Sequence, residues 1–163
     1  MRKTIHHHVS RRHFIYASGL TVASTALSAK KIAGANESVR LGFIGAGRRS
    51  KGLLRQFIKI PGVEIVAVSD PDTAHMEDAL KTIEKLRKNA AAEGNALPGG
   101  KVDTIRDYRK LLERPDIDAV VAPSTSFWHA LHAIHAVQAG KHVYVEKPST
   151  FYHWEGPQVE AAA

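Results

Sequence analysis

The chain has 163 residues, enough for one domain of usual size, and no cysteine, which excludes disulfides and thiolate metal sites. Its net charge is +7, yet six positive charges (Arg2, Lys3, Arg11, Arg12, Lys30 and Lys31) fall in residues 1–35, where no acid stands. Removing them from the +7 leaves +1 for residues 36–163, so no basic face for a nucleic-acid partner is expected.

Residues 1–35 read as a targeting segment. Ser10-Arg11-Arg12-His13-Phe14-Ile15 resembles the twin-arginine export motif. The apolar stretch Ile15–Ala29 is too short and too rich in Ser and Thr to span a membrane. Ala33-Gly34-Ala35 has the small-x-small form of a cleavage site, which would start the mature chain at Asn36; a cut near Ala29 is the alternative. The expectation is an exported, periplasmic protein handed to the twin-arginine translocase. That route carries folded proteins and so suits one that loads a cofactor in the cytoplasm. His6-His7-His8 is read as no metal site.

Val39–Gly52 (VRLGFIGAGRRSKG) organises the rest of the chain. Val39, Leu41, Phe43 and Ile44 suit a buried parallel strand, and Leu53, Leu54, Phe57 and Ile58 recur at helical spacing. Between them Gly45 permits a tight turn, while Gly47, lacking a Cβ, lets a pyrophosphate approach the backbone at a helix N-terminus. Ser50 stands where the third glycine of the fingerprint belongs, and Gly52 is expected to supply the close helix–strand packing instead. A second strand, Val63–Val68, ends at Ser69-Asp70. Asp70 lies 25 residues after Gly45, where an acid can grip ribose hydroxyls.

Strand and helix patterns then alternate. Pro71-Asp72 opens a helix with Ala74, Met76, Ala79, Leu80, Ile83 and Leu86 as its apolar stripe, Met76 being core filler. Asn89–Gly100 reads as a loop of small residues, and Lys101–Thr104 as a short third strand. Asp107 can cap a helix from Tyr108 that Arg114-Pro115-Asp116 stops. Ile117–Ala122 is a fourth strand, Pro123–Ser126 a loop, Phe127–Ala139 a helix ended by a left-handed Gly140, and His142–Val145 a fifth strand leading to Glu146-Lys147-Pro148. The alternation predicts an α/β fold: a Rossmann-type, doubly wound parallel sheet with helices on both faces. Gly45–Arg49, Asp70, Ser124–Ser126 and Glu146–Pro148 all fall at carboxyl ends of strands, where such sheets bind ligands.

These residues carry a family resemblance. GFIGAGRRSKG, YRKLLERPDIDAVV and WHALHAIHAVQAGKHVYVEKP, with its Glu-Lys-Pro triplet, resemble the N-terminal domain of the Gfo/Idh/MocA oxidoreductases over about Val39–Pro148. The resemblance implies a dinucleotide-binding domain over 36–150. Gly45, Ala46, Gly47 and Arg48 would contact the pyrophosphate, with Arg49 beside them, and Asp70 the adenosine ribose. Ser124 and Thr125 would serve the nicotinamide side, although relatives carry Thr-Pro there and the proline is lost. His129 would face the cofactor cleft, and Glu146 and Lys147 would lie near the nicotinamide. Lys147 would be the catalytic group, orienting a substrate hydroxyl and assisting its proton, and Pro148 would fix its backbone.

His129, His132 and His135 succeed one another at intervals of three, which spreads the outer two about 120° around a helix and prevents convergence on one ion. His132 and His135 are read as surface residues, and no metal is expected. The implied function is hydride transfer between NAD and a sugar, cyclitol or related polyol. The alternatives are a binder without turnover and a glycoside-cleaving relative that oxidises its substrate transiently. Asp70 would repel the 2′-phosphate of NADP, making NADP the less favoured cofactor, although Arg48 and Arg49 could offset this. Residues 151–163 read as the entry to a further helix and to an absent C-terminal substrate domain. The expectation is a truncated chain, a homo-oligomer only where that domain is present.

Overall fold

The computed structural model describes residues 38–163. The twin-arginine motif and the proposed cleavage sites lie outside the described residues. Five strands form one sheet in the order β3-β2-β1-β4-β5: β1 Val39–Ile44, β2 Val63–Ser69, β3 Asp103–Ile105, β4 Ala119–Ala122 and β5 His142–Val145. Every pairing is parallel. The helices are α1 Arg48–Phe57, α2 Thr73–Ala92, α3 Tyr108–Leu112, α4 Ser126–Gln138 and α5 Gly156–Ala162, the last preceded by a 3-10 turn over His153–Glu155. This is the expected doubly wound sheet. Its strand order reverses between β2 and β4 on either side of β1, which places the switch point at the carboxyl ends of β1 and β4.

Two apolar cores sandwich the sheet. On one face Leu41, Phe43, Ile65 and Val68 meet Leu53, Leu54 and Ile58 of α1 and Met76, Ala79 and Ile83 of α2. On the other, Ile44, Ala67, Val120 and Ala122 meet Leu111 and Leu112 of α3 and Ala136 of α4. A strict two-residue period would put Ile65 and Ala67 on the same face. The register shifts where Leu41 pairs with Ile65 and Gly42 with Ala67, leaving Val66 as an extra residue in β2. That bulge rephases the strand, so Val68 returns to the α1/α2 face while Val66 and Ala67 serve the other. Gly42 faces α3 closely: a Cβ there would stand 2.7 Å from a Leu111 methyl.

The local signals explain most boundaries. Asp72 and Asp107 cap α2 and α3, accepting from Ala74 N (2.9 Å) and Arg109 N (3.0 Å). Gly140, at φ +70°, comes after α4 as expected. Three boundaries differ by two residues or more. Helix α2 runs to Ala92, so Asn89–Ala92 is helix and not loop: Ala90-Ala91-Ala92 are strong helix formers, and nothing stops them before Gly94. Strand β3 begins at Asp103 and β4 at Ala119, each two residues later than the apolar pattern suggests. Both starts are set by polar ties. Arg114 reaches Asp103 (2.9 Å) and Asp116 (2.6 Å), and Asp118 Oδ2 accepts from the backbone N of Arg40 (2.8 Å). Among the described residues no helix is long and apolar enough to cross a membrane.

Candidate nucleotide-binding site

Four loops meet at the carboxyl edge. Gly45 closes β1 at φ +101°, a left-handed conformation, and a Cβ on it would lie 2.9 Å from Ser124 Cα and 3.0 Å from Ser124 N. Only glycine allows the β1–α1 turn to pack on the β4–α4 loop in this way. Gly47 is different. Nothing lies within 4 Å of where its Cβ would stand. No side chain caps α1 and no acid occupies its first turn, so the helix N-terminus adjoins open space.

Asp70 is nearly buried and ties two loops together. Its Oδ2 accepts from Ala46 N (2.7 Å) and its Oδ1 from Asp72 N (2.9 Å), with His75 Nδ1 at 3.5 Å. A carboxylate offers about four acceptor sites, so capacity remains for a further donor. The sequence pattern marks Asp70 as a ribose ligand and does not reveal that it also holds the glycine turn.

Arg48 is exposed. Arg49, expected beside the pyrophosphate, stands in the first turn of α1 and forms an ion pair with Glu146, which draws that turn toward the end of β5. Glu146 is buried, and its Oε1 also accepts from Lys147 N (3.2 Å). The Arg49 hydrogen bond, helped by that backbone N–H, holds the Glu146 carboxyl below its ordinary range. Glu146 therefore stays ionised at neutral pH, and the clasp is lost only as acid protonates it. Lys147 is exposed, and its ammonium has no carboxylate partner among the described residues. The Lys147–Pro148 peptide is cis.

The histidines depart from expectation. His129 is buried at 2 % exposure and does not simply face the cleft. Its Nδ1 lies 2.6 Å from Pro148 O and its Nε2 3.0 Å from Ser124 O, so the ring sits between the segment after β5 and the β4–α4 loop, and each N–H it carries donates to one of these carbonyls. His132 is not a surface residue: it is 5 % exposed, its Nδ1 lies 3.0 Å from Ser124 Oγ, and burial pushes its pKa down to about 4. His135 pairs with Tyr108 Oη at 2.8 Å. Tyr108 of α3, distant in sequence, packs against His132, so helical spacing alone places it wrongly. Thr125 is exposed at the N-cap of α4 and makes no side-chain cap bond. Among the described residues no group of three or more His, Asp or Glu could hold a metal ion.

Gly52 does not replace the third glycine, since a Cβ there would meet only an Arg49 nitrogen at 3.8 Å. Ser50 itself fills that close packing position, fully buried, with a hydroxyl that has no partner.

Residues 39–163 match the profile of the family described as oxidoreductase family, NAD-binding Rossmann fold, Gfo/Idh/MocA. The chain belongs to this family. Its similar proteins include an α-N-acetylgalactosaminidase of Shewanella oneidensis, 36% identical over 87% of the chain and 34% of the relative. A glycosyl hydrolase family 109 protein of Shewanella pealeana is 31% identical over 86% and 34%. The chain thus spans about a third of the length of these relatives. A myo-inositol dehydrogenase of Lactobacillus casei, solved with NAD(H) and myo-inositol, shares the fold. Its TM-score is 0.64 at 24% identity, over 77% of this chain and 33% of that one. KijD10, a 3-ketoreductase of Actinomadura kijaniata solved with NADP, matches with TM-score 0.62 at 25% identity, over 77% and 35%.

An unpaired buried hydroxyl costs about 1–3 kcal/mol. Ser50→Ala removes it with little change in volume and is expected to raise stability by about 1 kcal/mol in urea unfolding. An equal or lower stability would show that the hydroxyl is paired.

Proposed function

We propose that this domain binds a nicotinamide dinucleotide across its carboxyl edge and serves hydride transfer to or from a sugar, cyclitol or related polyol. The observation that carries this reading is the position of Lys147. It is an exposed, unpaired ammonium at the end of β5, on the same edge as the open backbone at Gly47. The residues fit the cofactor. Gly47 leaves room for a pyrophosphate at the uncapped start of α1, and Asp70 retains acceptor capacity for ribose hydroxyls. The bound nicotinamide would supply the hydride acceptor. Lys147 then stabilises negative charge developing on the substrate oxygen and assists removal of its proton. Glu146, fixed by Arg49, keeps the Lys147 backbone in place.

A second reading has a specific observation in its favour. The Shewanella relatives are named as glycosidases. In such a reaction the same edge would oxidise the sugar, permit bond cleavage and return the hydride, with no net change in cofactor. An assay of NADH across a panel of sugars, cyclitols and glycosides separates the two, using the 163-residue chain and, in parallel, a protein that also carries a substrate domain. Accumulating NADH supports the dehydrogenase, and released aglycone without NADH supports the glycosidase. Lys147→Ala is expected to lower turnover at least about a hundredfold while leaving NAD binding within about twofold. Loss of binding instead would place Lys147 on the cofactor and not on the chemistry.

NAD is proposed over NADP because Asp70 sets a carboxylate where a 2′-phosphate would lie. Fluorescence titration should give tighter binding of NADH than of NADPH, and Asp70→Ala should narrow the difference. Tighter NADPH binding by the unmodified protein would overturn this.

Export by the twin-arginine route is proposed from Arg11-Arg12 in its motif. A reporter fused after residue 40 should reach the periplasm, and replacing Arg11 and Arg12 by Lys should retain it in the cytoplasm. Equal export of both forms would exclude the route. Self-association is proposed only for a form that carries the further domain, and light scattering of the two forms tests it.

A further inference from the structure

Ser124 is held at both ends. Its carbonyl oxygen lies 3.0 Å from His129 Nε2, and its hydroxyl 3.0 Å from His132 Nδ1. Its backbone also packs on Gly45, so its position sets that of the glycine turn. His132 projects from the buried side of α4, with Trp128 stacked on one face (5.7 Å, 18°) and Tyr108 against its edge (4.4 Å, 64°). A histidine so enclosed is costly unless its polar atoms are used, and Ser124 is the side chain that uses one.

We propose that His132 is a positioning residue that makes Ser124 a hydrogen-bond acceptor for the nicotinamide–ribose half of the nucleotide. The inference rests on the nucleotide-binding function proposed for this edge. In the tautomer this role requires, with the ring proton on Nε2, His132 Nδ1 accepts the Ser124 O–H, which commits the only hydrogen that the hydroxyl has. Ser124 Oγ then offers lone pairs alone to a ligand. What meets it must donate, so it is a ribose hydroxyl or a carboxamide N–H and not a phosphate oxygen. Ser124 stands after β4, on the opposite side of β1 from β2 and Asp70. A nucleotide whose adenosine ribose is held at Asp70 therefore brings its nicotinamide half to Ser124. The burial that lowers the His132 pKa keeps the ring neutral, which leaves one ring nitrogen able to accept, and the proposed role places that lone pair at Nδ1.

The test compares NADH with ADP, which carries the adenosine and pyrophosphate but no nicotinamide half. Binding of each to the 163-residue chain is measured by calorimetry for the unmodified protein, Ser124→Ala, His132→Leu, His132→Asn and the double variant Ser124→Ala/His132→Leu. Leu and Asn share a shape, but only Asn places an amide near the Nδ1 position. Ser124→Ala and His132→Leu should each weaken NADH about three- to tenfold, the worth of one hydrogen bond, and leave ADP unchanged. The double variant should be no weaker than the worse single variant, and His132→Asn should stay within about twofold of the unmodified protein.

Unchanged NADH binding in His132→Leu would overturn the proposal. So would equal weakening of NADH and ADP, since a merely structural role disturbs the whole site. Should His132→Leu fail to fold, Ser124→Ala decides, because it leaves the ring in place: selective loss of NADH supports the proposal and no loss refutes it. Unmodified protein that binds neither nucleotide would overturn the nucleotide-binding function itself, and this role with it.

Discussion

The carboxyl edge depends on one close approach. The Gly45 backbone and the Ser124 backbone are packed so tightly that a methyl group between them would stand 2.9 Å from Ser124 Cα. This contact joins the loops after β1 and β4, the two neighbouring strands at which the sheet changes direction. Any side chain at Gly45 would both demand a strained φ and push the loops apart. The crevice at a switch point exists because the connections leave in opposite directions. Here its floor is set by a missing Cβ.

The remaining ties work on that floor. Asp70 draws the glycine turn toward β2 through Ala46 N, Arg49 draws the start of α1 toward β5 through Glu146, and the His129 ring lies between the Pro148 and Ser124 carbonyls. Each tie crosses from one loop to another, and the loops concerned extend from four different strands. A side chain doing this loses its freedom before any ligand arrives, which lowers the ordering cost of binding. Asp70 and Glu146 are both nearly buried, and each has its oxygens engaged by donors, so neither is an uncompensated buried charge.

Much of this is legible in the sequence because the signals are local. His142–Val145 is a strand with the bounds that its pattern implies, and Asp72 and Asp107 cap the helices they precede. Gly45, Asp70, Ser124 and Glu146 can be placed on one edge from the alternation of strands and helices alone. The illegible parts depend on partners distant in the chain. His132 lies on a helix whose spacing makes it a surface residue until Tyr108 of α3 packs against it. The pairing of Arg49 with Glu146, 97 residues away, has no signal in the local pattern. The extension of α2 through Ala92 escapes the apolar pattern for a different reason, since a run of alanines lacks a stripe and yet propagates a helix by propensity.

The relatives sharpen what this domain can and cannot specify. The relatives that resemble it in sequence are named as glycosidases, while an inositol dehydrogenase and a ketoreductase share its fold. Under the two functions proposed above, hydride transfer and glycoside cleavage would share the domain because each would start from a sugar hydroxyl beside a nicotinamide and would ask for a held dinucleotide and a group to manage the hydroxyl proton. In the proposed hydride transfer the second requirement would fall to Lys147, whose backbone N–H is bonded to Glu146 while its side chain is exposed. A rigid main chain with an unengaged head group suits an ammonium that must track a substrate oxygen as its charge grows. Had Glu146 paired with the Lys147 ammonium, that charge would already be neutralised. Arg49 occupies the Glu146 carboxylate instead, and in the proposed function it would serve the proton chemistry at one remove.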